Sequence, residues 1–205
     1  HTWLPDAHGE APTAGSMLLA GLMLKLGAYG FLRLVIPFFP DVWVAPINIL
    51  GAIQTNWAGI FAFLAVLGIV LGAYAAFGQN DIKRLVAYSS VNHMGFVLLG
   101  IAAAAWANGS TDPKIQMSAT IALNGAVLQM FNHGLSAAGM FFLVGVIYER
   151  THTRNLEEFG GLFPLVPVYG GILIFTSMAS LGLPGLNGFI SEFLVVRGAF
   201  PLLPI

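Results

Sequence analysis

WAGIFAFLAVLGIVLGAYAAF, residues 57–77, runs for 21 residues without one charged side chain. An α-helix rises 1.5 Å per residue, so this stretch alone crosses about 30 Å of hydrocarbon. The same pattern extends in both directions. No Asp, Glu, Lys or Arg falls in residues 42–80, 85–111, 115–148 or 159–191. In all, 17 of 205 residues carry formal charge, or 8%, against 57% hydrophobic. Soluble domains are about 25% charged, so this chain lacks the polar residues to face water. Lipid is its solvent, and the expected fold class is all-α, a polytopic integral membrane helix bundle.

Five spans are expected, at about 15–36, 57–77, 84–106, 118–148 and 167–200, within a single membrane domain covering residues 1–205. Trp57 stands where interfacial aromatics collect. The fifth span is interrupted over 182–188 by Gly182, Pro184, Gly185, Asn187 and Gly188. Nonhelical backbone at membrane depth exposes amides that only protein or a water-filled cavity can satisfy, and such breaks often mark ion pathways. The start of the chain reads as an irregular proline-bounded loop (Pro5, Gly9, Pro12), and residues 46–56 as a polar loop. With no initiator Met and no recognisable targeting sequence, the chain reads as an internal fragment.

Alternating spans put 1–13, 78–84 and 149–164 on one side, with Lys83, Arg84, Arg150 and Arg154, while the other side's loops hold Lys114, with Arg33 near a span end. The positive-inside tendency places the His1 end on the cytoplasmic side. Lys83, Arg84, Glu157 and Glu158 read as solvated loop charges.

Ionisable groups inside the spans are few. Lys25 lies about 11 residues from either end of its span, too deep to snorkel, and a central lysine costs about 2.5–3.5 kcal/mol. It is a transport residue or half of a helix–helix ion pair. Glu192 follows the break by four residues and reads as a proton site or as a clamp on freed amides. His93 and His133 are candidate relays, since imidazole passes a proton between its nitrogens near neutral pH, or else hydrogen-bonded packing residues. Ser89, Ser90 and Asn92, with Gln129, Asn132 and Ser136, hold water near them or join helices. No metal site is expected: Asp6, His8 and Glu10 lack a second ligand cluster. Zero cysteines exclude thiolate metal sites, iron–sulfur clusters and a cysteine nucleophile, and a net charge of -1 excludes polyanion binding. With no phosphate loop or nucleophile elbow, bond chemistry within the chain is not expected.

The order of motifs resembles a known family. HTWLPDAH (1–8) precedes EAPT (10–13), Lys25 precedes Gly27-Ala28-Tyr29-Gly30, and DIKRLVAYSS (81–90) leads to His93-Met94-Gly95-Phe96. HGLSAAG (133–139), Tyr148-Glu149-Arg150, Leu183-Pro184-Gly185 and Glu192-Phe193 follow. Nearly the whole chain resembles the antiporter-like subunits of the chain M (mitochondrial subunit 4) type in respiratory type I NADH:quinone oxidoreductases. Chloroplast and cyanobacterial counterparts are close behind, and multisubunit antiporters and membrane-bound hydrogenases share a weaker version.

The resemblance implies a fold of about fourteen spans in two inverted repeats, these five being the eighth to twelfth. Lys25 matches the connecting lysine and Glu192 the terminal proton site, while His93 and His133 fall at central-axis positions. The entry pair lies upstream. The implied function is proton translocation at mid-membrane, from Lys25 through water and His133 or His93 towards Glu192, in a subunit of a redox-driven translocase. No cofactor is expected in this chain. NADH, FMN, iron–sulfur clusters and quinone belong to partner subunits, the bilayer and neighbouring membrane subunits are its partners, and nucleic acid is not. The expected location is a bacterial plasma membrane, with thylakoid and mitochondrial inner membranes as alternatives. A sodium/proton antiporter subunit and a structural membrane scaffold remain competing readings.

Overall fold

The computed structural model describes residues 2–49 and 53–203, and helices run through most of them. The chain start is helical rather than irregular: α1 spans Leu4–Glu10 with Pro5 in its first turn, where a missing amide N–H removes no intrahelical bond. Helix α2 (Thr13–Phe38) carries two π turns, Leu19–Met23 and Phe31–Val35. After the short α3 (Pro40–Val44), the expected polar loop is an antiparallel pair of strands, β1 (Pro46–Ile49) and β2 (Ile53–Asn56), with Ile47 opposite Thr55.

Side-chain caps start the next helices. Asn56 accepts the Gly59 amide at 2.8 Å and opens α4 (Trp57–Phe77). Asp81 accepts the Lys83 and Arg84 amides and opens α5 (Ile82–Trp106). Asp112 accepts the Lys114 amide at 2.9 Å, with Pro113 in the first turn of α6 (Pro113–Thr151). The last segment has three pieces, the single-turn α7 (Leu162–Leu165), α8 (Pro167–Ser180) and, after a turn, α9 (Asn187–Ala199).

The result is an integral membrane helix bundle with α5 at its centre, packed by α4, α6 and α9. Small side chains make the contacts: Ala62 and Ala65 on α4, Ala102 and Ala103 on α5, Ala122 and Ala126 on α6, and Ala199 on α9. In lipid, helices associate by close backbone approach rather than by escape from water. Large apolar side chains such as Phe77, Phe131 and Phe175 point outward. A Cβ on Gly100 would stand 2.7 Å from the Ala122 carbonyl oxygen and 2.8 Å from Ala126 Cβ. Gly100→Leu should therefore separate α5 from α6, at a cost of about 1–3 kcal/mol, read as a lower melting temperature and less assembled complex.

At one end of the bundle, three segments far apart in sequence meet. The Ile82 amide donates to the Arg154 carbonyl at 2.9 Å, and the Leu156 amide to the Asn80 carbonyl at 2.8 Å. Arg154 donates to the Gly9 carbonyl at 2.6 Å, and Arg84 pairs with Asp6 at 2.8 Å. Lys83 is not a solvated charge. It is buried, and its ammonium donates to the Gly9 and Ala11 carbonyls, which tie the chain between α1 and α2 to α5.

His8 is fully buried against this end, its ring stacked on Phe141 at 4.6 Å. Neither ring nitrogen has a hydrogen-bond partner among the described residues. Burial first, then the charges of Lys83 and Lys25, lower its pKa from 6.5 to about 4. The unfolded chain therefore binds a proton that the folded one refuses. The stability due to neutral His8 is complete above 6.5 and lost as pH falls from 6.5 towards 4. Melting temperature should drop between about pH 7 and about pH 5, and His8→Phe should flatten that slope.

Candidate functional site

Lys25 is half-buried on α2, two residues past the first π turn, and its ammonium donates to the Ala20 carbonyl inside that turn. π turns loosen the regular ladder, and they recur at functional sites. Across the interface with α6, Lys25 Nζ lies 2.7 Å from His133 Nδ1. An ammonium only donates, so Nδ1 is the acceptor in this contact. His133 is buried, and its Nε2 has no partner among the described residues.

The next group is His93 on α5, whose ring centroid is 5.2 Å from that of His133. His93 Nδ1 lies 2.9 Å from Glu192 Oε1 on α9. Lys25, His133, His93 and Glu192 thus stand in one row across α2, α6, α5 and α9, as two hydrogen-bonded pairs whose imidazole rings adjoin. All four residues singled out in the sequence stand in it, and both histidines stand between the two charged groups.

The break positions the far end of the line. Gly182 and Gly185 adopt φ of +68° and +97°, left-handed values that L side chains rarely take. A Cβ on Gly182 would lie 2.8 Å from Glu192 Oε2, so the bare turn makes room for the carboxylate. Asn132 on α6 reaches the restart, donating to the Asn187 carbonyl at 2.7 Å and to Ser191 Oγ at 3.0 Å. Beside Glu192 and His93 lies a cavity of about 460 Å³, with Ser89, Asn92 and Ser180 on its wall. Its wall is otherwise apolar, with Phe77, Leu85, Phe96 and Leu181 on the same space, and its volume is enough for several waters. At the other end, Lys25 borders a wider, mostly apolar groove of about 810 Å³ between α2 and α6.

Sequence reading placed Gln129 only in a general polar group. In the structure its amide donates to Glu192 Oε1 at 3.1 Å and lies 3.4 Å from His93 Nδ1. Its spacing four residues before His133 was the available signal, because i and i+4 share a helix face. Ser191 accompanies it, donating to the Gln129 carbonyl oxygen at 2.5 Å. Asp6, His8 and Glu10 do not converge, as Asp6 faces Arg84 and His8 turns inward.

Residues 1–204 match the family described as "NADH:quinone oxidoreductase/Mrp antiporter, TM". The chain is 46% identical over 205 residues to NADH-quinone oxidoreductase subunit M of Pseudomonas aeruginosa, which covers all of this chain and 35% of that protein. It is 46% identical over 198 residues to NAD(P)H-quinone oxidoreductase chain 4 1 of Synechococcus elongatus, covering 97% of this chain and 32% of the relative. Among solved structures, a chain of respiratory complex I from Thermus thermophilus with bound NADH superposes with a TM-score of 0.78 at 32% identity, over 100% of this chain and 38% of that one. A chain of the membrane-bound sulfane sulfur reductase, an archaeal respiratory membrane complex, superposes with a TM-score of 0.77 at 28% identity, over 97% and 30%. The chain therefore spans about a third of the length of the curated relatives it matches.

Proposed function

The chain belongs to the membrane family shared by NADH:quinone oxidoreductases and Mrp antiporters, and on that premise we propose that it conducts protons within a redox-driven translocase. The observation that carries the reading is the row Lys25–His133–His93–Glu192, hydrogen-bonded at each end and with the two imidazole rings 5.2 Å apart between centroids at its middle. A proton leaves the Lys25 ammonium for His133 Nδ1, and the imidazole then sheds one from Nε2 towards His93. Reorientation of the rings or one intervening water closes the gap between them. His93 hands a proton from Nδ1 to Glu192 Oε1, and the cavity beside Glu192 gives it an exit. Each arrival changes the charge beside the next group, so the steps are coupled.

On this reading the energy comes from partner subunits, where NADH, FMN, iron–sulfur clusters and quinone reside, the entry pair lies in the same protein upstream of these spans, and neighbouring membrane subunits are its partners. The basic end with Lys83, Arg84, Arg150 and Arg154 faces the cytoplasm of a bacterium or the corresponding compartment of an organelle. His1 itself lies outside the described residues.

The competing ion is sodium. Vesicles carrying the complete complex in sodium-free medium should acidify on addition of NADH and quinone, and a protonophore should collapse the signal. Acidification that requires added sodium would transfer the reading to a sodium/proton antiporter.

A further inference from the structure

We propose that Gln129 is a positioning residue that fixes the Glu192 carboxylate against His93 for proton exchange. The inference rests on the reading of Glu192 as the terminal proton site.

Gln129 is 1% exposed, and both ends of its amide are engaged. Ser191 decides which end faces the carboxylate. Its Oγ already accepts the Asn132 amide at 3.0 Å, and of the three oxygens its single proton can reach, the Gln129 side-chain oxygen at 2.5 Å is nearer than the Gly188 and Asn187 carbonyls at 2.9 and 3.4 Å. That leaves Gln129 Nε2 towards Glu192 Oε1, at 3.1 Å. Asn132 and Gln129 lie three residues apart on one face of α6, and they grip α9 at Asn187, Ser191 and Glu192. A buried amide satisfied at both ends has one orientation.

The same carboxylate oxygen receives a second contact, from His93 Nδ1 at 2.9 Å. The two partners differ in kind. His93 gives and takes a proton, whereas an amide N–H stays a donor at any physiological pH. Gln129 therefore holds Glu192 in place before, during and after transfer from His93. A residue that only joined helices would not reach the carboxylate itself.

The test uses Gln129→Met, of similar length and without an amide, in the full-length subunit within its complex. The readout is redox-driven proton uptake in vesicles as a function of pH. Assembly at parent levels with the pH profile of uptake displaced from that of the parent is the expected result, since a hydrogen bond to the exchanging carboxylate is lost. Ser191→Ala releases the amide without removing it and should move the profile the same way by less. A parent-like profile in Gln129→Met overturns the proposal. Should Gln129→Met fail to assemble, a parent-like profile in Ser191→Ala overturns it equally. Full uptake in Glu192→Gln, by contrast, sinks the proton-site reading beneath it, so the two failures are told apart.

Discussion

Lys25→Ala in the full-length protein should assemble with its partners and lose redox-driven proton uptake by about tenfold or more, the scale on which positioned proton donors act. The ammonium is the donor to His133 Nδ1 at 2.7 Å, and a methyl group neither carries a proton nor spans that gap. Assembly should survive for a reason visible in the contacts. Lys25 holds the Ala20 carbonyl of its own helix and a histidine ring, and among the described residues no carboxylate lies within salt-bridge distance of it. A half-buried cation with no anion is a cost to the fold, so its removal relieves the membrane segment rather than weakening it. The scaffold reading needs the opposite pairing, lost assembly with normal uptake per assembled complex. Uptake at parent levels in the assembled variant would end the transport role of Lys25.

The membrane class was legible because charge is so costly in lipid that its absence over residues 42–80 and 115–148 leaves few other folds. The same cost made Lys25 and Glu192 conspicuous, since an ionised group there needs a reason. Their connection was not legible. His133 stands 108 residues from Lys25, and His93 stands 99 from Glu192, and no periodicity reports contacts at such separation. The π turns around Lys25 were hidden as well, because Leu19–Met23 holds good helix formers around a single Gly21, a composition common in regular membrane helices, and tertiary packing sets the turn. Lys83 was misread through proximity to polar residues: a cap begins at Asp81, and the lysine two residues later folds back onto carbonyls from the chain start. Pro5 suggested a loop, but proline is equally at home in a first helical turn.

Glu192→Gln separates the two roles that a carboxylate beside a break can play. The amide has the same shape, keeps an oxygen to accept from Gln129 Nε2 and from a protonated His93 Nδ1, and fits the space over Gly182. A clamp function would therefore survive the substitution. Proton exchange would not, since an amide neither binds nor releases a proton at physiological pH. The expected result is a complex with the melting temperature of the parent and uptake reduced by about tenfold or more. Glu192→Asp sharpens the comparison, because it retains the titrating group and shortens its reach to His93, now 2.9 Å. It should restore part of the uptake if proton exchange is the role, and little beyond Glu192→Gln if shape is. The decisive contrary outcome is normal pumping in Glu192→Gln with its fold intact, for then the line of side chains would end in a structural contact and the exit would lie elsewhere in the bundle.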